Sequence, residues 1–256
     1  MQLIDTHTHF YAQEFDLDRQ QLIEKAIEIG VSKFFMPNID SASMPNLWHL
    51  ASQYPQCCFP MAGLHPCSVK ENYEVELANV KHWLATKKMY ALGEIGIDLY
   101  WDKTFLPEQK IAFNTQISLA KQYNLPIVIH SRNAFDETFE ILNTHNDSNM
   151  RGIFHCFSGT IEQAEKIINL GGFKLGVGGV ITFKNAGLDN VVAAIGMQHI
   201  VLETDAPYLA PAPHRGKRND STYLMLIAEK IAALKKITIE EVAAISTKNA
   251  EEIFLG

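Results

Sequence analysis

Near its start the chain sets two imidazoles two residues apart, in Leu3-Ile4-Asp5-Thr6-His7-Thr8-His9. The apolar run before them reads as a β-strand, whose period of two turns His7 and His9 to one side, where both can grip one metal ion. Alone, His-x-His is a weak pattern. A metal centre gathers about four to six donors from separate elements, so the pair gains meaning only from matching residues elsewhere. Glu94, His130, His155 and Asp205 stand at the ends of later apolar runs. Each has a bland reading as a surface, capping or turn residue, but the recurrence at strand ends does not.

These four imidazoles and two carboxylates exceed the three protein ligands of a mononuclear catalytic zinc site. The expectation is therefore two divalent ions, with His7, His9, Glu94 and Asp205 around one and Glu94, His130 and His155 around the other. Two ions about 3.5–4 Å apart lower the pKa of a water between them and stabilise a leaving oxygen, so the chemistry is hydrolytic. Asp205 is a candidate acceptor for the proton of that water. Imidazole-rich ligation suits zinc or manganese, and a phosphate-transfer site also works with magnesium. His49, His82, His145 and His199 fall in helices, in loops or at a strand start and are read as structural.

The elements that must position these residues follow from periodicity. Strand-like runs occur at 2–5, 33–37, 59–63, 90–94, 126–130, 152–155, 173–177 and 199–203, with amphipathic stretches such as 18–29, 107–123 and 134–142 between them. Pro107 suits the start of a helix, and Thr160 with Gln163 and Thr238 with Glu241 have the capping-box spacing. Eight strands in 256 residues is 256/8, or 32 per unit, close to one repeat of a (β/α)8 barrel of roughly 250 residues. Barrel active sites gather at the C-terminal strand ends, where the six candidates lie. The reading is an α/β fold, a TIM barrel of the metal-dependent hydrolase type, as one domain over 1–256. A doubly wound sheet gives the same alternation but wants a glycine-rich turn after its first strand. Here that strand ends in His-Thr-His, and the glycine-dense stretch 171–179 comes late with no Lys-Ser/Thr behind it, which reads as turns and tight packing.

A hydrophobic content of 47% can fill one substantial core, and a formal charge of −7 argues against coating nucleic acid through general basicity. It does not exclude a nuclease, because a metal centre supplies local positive charge. The four cysteines, Cys57, Cys58, Cys67 and Cys156, form no Cys-x-x-Cys pair and read as reduced thiols. With no signal-peptide pattern and no apolar run of membrane length, the expectation is a cytoplasmic protein without a membrane or an obligate protein partner.

Five segments in order carry a family resemblance: Ile4-Asp5-Thr6-His7-Thr8-His9, Gly93-Glu94-Ile95-Gly96-Ile97-Asp98, His130-Ser131-Arg132, His155-Cys156-Phe157-Ser158-Gly159 and Glu203-Thr204-Asp205-Ala206-Pro207-Tyr208-Leu209. Pro213-His214-Arg215-Gly216-Lys217-Arg218-Asn219 also fits. The chain resembles TatD-type metal-dependent deoxyribonucleases, a branch of the amidohydrolase-like barrel superfamily. The resemblance implies a TIM barrel, the six residues above as metal ligands, and cleavage of DNA phosphodiesters, often from an end. Gly63-Leu64-His65-Pro66-Cys67 matches the third-strand motif except that Cys67 stands where a second histidine is usual. His65 is expected beside the site, against substrate or a carboxylate.

For the DNA substrate the candidate contacts are His65, Arg132, Arg215, Lys217 and Arg218, with His214 in the same loop. A guanidinium takes phosphate in bidentate fashion, and the alternative for Arg132 is an ion pair with Asp136 or Glu137. Tyr100 and Trp101 either stack on a base or cover the core. Because fold and metal do not fix substrate, a small-molecule amide, ester or cyclic compound stays open beside DNA.

Overall fold

The computed structural model describes residues Met1 to Gly256. Eight strands run in chain order: β1 (Leu3–Asp5), β2 (Val31–Met36), β3 (Cys58–Pro60), β4 (Leu92–Asp98), β5 (Ile127–Arg132), β6 (Gly152–Phe154), β7 (Phe173–Val177) and β8 (Ile200–Leu202). Each pairs in parallel with its sequence neighbour, in the runs β1-β2-β3 and β4-β5-β6-β7-β8. Two seams close the ring. Thr6 N bonds Leu202 O at 3.0 Å and Thr8 bridges Ala206, while Gly93 N bonds Ala62 O at 2.8 Å and Ala62 bridges Leu92. The result is the TIM barrel expected from the alternation.

Helices follow the strands: α1 (Arg19–Glu28), α2 (Met44–Gln53), α3 (Tyr73–Thr86), α4 (Leu106–Tyr123), α5 (Phe135–His145), α6 (Ile161–Asn169), α7 (Leu188–Ala194), α8 (Leu224–Lys235) and α9 (Ile239–Phe254). Both capping boxes form, Thr160 with Gln163 opening α6 and Thr238 with Glu241 opening α9, so two orphan donors are satisfied at each start. No helix is long and apolar enough to cross a membrane.

Period-two alternation divides the core. Side chains such as Leu3, Phe34, Ile95, Ile129, Phe154 and Leu175 pack outward against the helices, in the larger cluster. Ile4, Phe35, Phe59, Val128, Ile153 and Val201 fill the barrel. The end of α9 closes it from below, where Phe254 stacks on Phe35 with ring centroids 4.1 Å apart. Burying these aromatics drives α9 onto the barrel floor and leaves the opposite end to the loops.

The strands lie where periodicity put them, within a few residues. The largest difference is β4, which runs to Asp98 rather than ending at Glu94, so Glu94 projects from within the strand. Beta propensity explains the extension, since Ile95 and Ile97 continue the buried alternation.

Candidate metal centre

His7 and His9 follow β1, and a buried carboxylate fixes the turn that carries them. Asp5 accepts from Thr204 Oγ1 and Ser221 Oγ, each at 2.6 Å, from Thr204 N at 3.0 Å and from His7 N at 3.3 Å. This ties the β1 loop to the β8 loop. Asp205 N in turn bonds His7 O at 2.9 Å. Asp205 adopts a left-handed backbone with φ of 59°, a conformation Asp tolerates better than most residues and one that collects at functional sites.

The side chains converge on Glu94, which is 3% exposed. Its Oε2 lies 3.2 Å from His7 Nε2 and 3.9 Å from His9 Nε2. Its Oε1 lies 2.7 Å from His130 Nδ1, 3.3 Å from His65 Nε2 and 3.4 Å from His155 Nε2. Asp205 Oδ1 sits 3.6 Å from both His7 Nε2 and His9 Nε2. Glu94 thus offers one oxygen to each of two donor groups, and the other five predicted ligands and His65 lie around it. Donors packed this way can hold metal: His7, His9 and Glu94 form one compact set and His65, Glu94 and His130 another.

Hydrogen bonds set the protonation of individual rings. Tyr11 donates its hydroxyl to Pro37 O at 2.6 Å, so at 2.8 Å from His9 Nδ1 it must accept, which puts the proton on Nδ1. His9 Nε2 then turns a lone pair toward Glu94 and Asp205, as a ligand requires. His65 is the opposite case. Its Nδ1 accepts from Cys67 N at 3.0 Å, so a neutral ring carries its proton on Nε2, the nitrogen facing Glu94. The backbone of Cys67 thus orients His65, whatever its side chain. Asp98 accepts His130 Nε2–H on Oδ2 at 2.8 Å and leaves Nδ1 facing Glu94. Beside His155, Glu203 Oε1 lies 3.1 Å from Nδ1, outside hydrogen-bond alignment, and also accepts from Cys156 N at 2.5 Å. Gly176 makes room for that carboxylate, since a Cβ there would lie 2.2 Å from Glu203 Oε2.

Burial alone would raise the Glu94 carboxyl, but His65, His155, His7 and the bond from His130 outweigh it and hold it well below the usual range. Asp205 is likewise lowered against its burial, by His155, His9 and His7. Burial pulls His155 down, yet Glu203, Glu94 and Asp205 push it up to about 10. These are anions that hold cations in the barrel mouth. A divalent ion fits such a site, because it replaces ring protons and pairs with the same carboxylates.

The remaining predicted contacts divide. Arg132 is exposed and pairs with neither Asp136 nor Glu137; its guanidinium lies 3.8 Å over the Tyr100 ring and 5.4 Å from that of Trp101. Arg215 stacks 4.0 Å over Phe183, and Arg215 and Lys217 are both exposed. His214 stacks on Tyr223 at 4.2 Å. Arg218 departs from the expectation. It is bound bidentate to Asp18 at 2.5 and 3.0 Å and packs on Phe15, so its charge is spent pinning the β8 loop to the chain ahead of α1. His49, His82, His145 and His199 lie on α2, α3, the end of α5 and a short turn before β8, away from Glu94.

Tyr11 and Asp98 were not expected as ring-orienting partners, nor Glu203 as the carboxylate beside His155. Asp98 and Glu203 do sit within quoted motifs, four residues after Glu94 and two before Asp205, but spacing alone does not reveal which imidazole each meets.

The family described as TatD related DNase matches residues 4–255. An uncharacterized metal-dependent hydrolase of Bacillus subtilis, YabD, is 38% identical over 253 residues, covering 98% of both chains. The crystal structure of YjjV, a TatD homologue from Escherichia coli, superposes with a TM-score of 0.93 at 30% identity, covering 99% of this chain and 98% of that one. The 3'-5' ssDNA/RNA exonuclease TatD of Erwinia tasmaniensis is 30% identical over 98% of this chain and 99% of its own.

Proposed function

Because the chain belongs to the TatD-related DNase family and is a metal-dependent hydrolase of that family, we propose that it hydrolyses phosphodiester bonds of DNA, working from a strand end. The observation that carries this reading is the convergence of His7, His9, His130 and His155 on the two oxygens of Glu94, with Asp205 against His7 and His9, and Arg132, Arg215 and Lys217 exposed in neighbouring loops of the same barrel end. The exonuclease relative supplies the substrate class.

His7, His9, Glu94 and Asp205 would hold one divalent ion and Glu94, His130 and His155 a second, zinc, manganese or magnesium. Bound there, such ions acidify water and neutralise charge on the phosphate. Asp205, kept ionised by its imidazole neighbours, takes the proton from the attacking water. As water oxygen bonds phosphorus, the bond from phosphorus to the nucleoside oxygen breaks. His65, with Nε2–H directed into the site, donates a hydrogen bond to that oxygen, and solvent water supplies its proton. Arg132, Arg215 and Lys217 attract the backbone. The expected result is that Asp205→Asn stays folded and loses hydrolysis of end-labelled DNA by about 100-fold or more, the scale of a lost general base. Unchanged cleavage by that variant would remove Asp205 from the mechanism.

A second reading has its own observation. A cleft of about 460 Å³ opens beside His155, lined by Ser131, Asn133, Phe157 and the acidic Asp136 and Glu137. Its size suits a small amide or ester, and its acidic lining disfavours a phosphate. Turnover of such compounds with none of DNA would select it.

A further inference from the structure

Tyr100 and Trp101 are 52% and 69% exposed, a costly place for two large aromatics unless something covers them. They do not cover the core. Their rings meet edge to face at 4.8 Å, and the Arg132 guanidinium lies against them without a carboxylate or hydrogen-bonded partner of its own.

The exposure is also not that of a loose loop. Asp98 Oδ1 accepts from Tyr100 N at 2.9 Å and Trp101 N at 3.2 Å, and Leu99 N bonds Arg132 O at 2.9 Å. Beyond Trp101, Asp102 pairs with Lys70 at 3.2 Å. The aromatics are therefore presented on a braced segment between β4 and α4.

We propose that Tyr100, Trp101 and Arg132 form a stacking site for an unpaired base of the substrate strand, next to the centre that cuts it. The proposal rests on the nuclease reading of that centre and names which form of DNA it takes. The exposed Trp101 ring, beside a guanidinium that rests on Tyr100 and has no carboxylate partner, suits a ligand that joins a ring to an anion, as a nucleotide does. In a duplex both faces of a base are already stacked, so the platform selects a single strand or a frayed end. Asp98 supplies the coupling. One oxygen holds the Tyr100 and Trp101 amides and the other holds His130, so the stacked base and the imidazole share one rigid support.

Trp101 is its own reporter. The other two tryptophans, Trp48 and Trp83, are partly buried against each other on α2 and α3, and Trp48→Phe with Trp83→Phe leaves Trp101 alone. With chelator present to prevent cleavage, a short single-stranded oligothymidylate is expected to quench this fluorescence. An abasic strand of equal length and charge is expected to bind about 5- to 150-fold more weakly and without quenching, the range for losing one stacked base. In the presence of metal, Trp101→Ala should raise KM for single-stranded DNA over the same range with kcat little changed, and Trp101→Phe should restore it. Equal binding of base-bearing and abasic strands, or an unchanged KM in Trp101→Ala, overturns the platform. Quenching by oligothymidylate in a protein that cuts no DNA would instead overturn the nuclease reading and leave the platform standing.

Discussion

Tyr11 decides which nitrogen of His9 carries a proton, because its own hydroxyl proton is committed to Pro37 O. Tyr11→Phe removes that control, and metal affinity should fall about 10- to 100-fold, as for other groups that orient a ligating imidazole. Competition against a fluorescent chelator measures it; unchanged affinity would show that His9 is oriented otherwise. Protonation predicts a pH dependence as well. His155 is pushed up to about 10 in the metal-free protein, so its charge stabilises the fold fully below the ordinary histidine value near 6.5 and that support is lost as pH rises toward 10. Metal must displace the proton. The rise in Tm on adding manganese should therefore be larger at pH 8.5 than at pH 6, and an increment independent of pH would count against His155 as a ligand.

Among the elements, α9 tests the barrel most sharply. Phe254 lies 6% exposed against Phe35, so Phe254→Ala should destabilise the fold by about 3–5 kcal/mol in chemical denaturation. A loss under about 1 kcal/mol would mean that the floor repacks without it. Sequence patterning located the strands because each is a buried apolar run, and it picked out ligand candidates that the barrel brings together because most sit where such a run stops. It misjudged the end of β4, since Ile95 and Ile97 continue the strand past Glu94. It also left Arg218 among the substrate contacts. The partner that claims it, Asp18, is 200 residues away in sequence, a pairing that only barrel closure creates. The orienting roles of Tyr11 and Asp98, and the place of Glu203 beside His155, were illegible for the same reason: residue types are printed in the chain, but the ring each one meets is a property of the assembled barrel.

At the scale of the whole molecule, an acidic chain presents a barrel mouth in which anions are wrapped in imidazoles and exposed cations sit in the surrounding loops. On the nuclease reading, that arrangement offers positive charge locally to a phosphate, although the chain as a whole carries a formal charge of −7. The nuclease reading unites the imidazole cluster, the unpaired Arg132 and the family relationship in one activity. Its most direct test is the hydrolysis of end-labelled single-stranded DNA by the intact protein with magnesium, manganese or zinc, beside Glu94→Ala. The predicted result is stepwise shortening of the strand that requires metal and is abolished in Glu94→Ala. Intact DNA with every metal, or equal cleavage by wild type and Glu94→Ala, would contradict it.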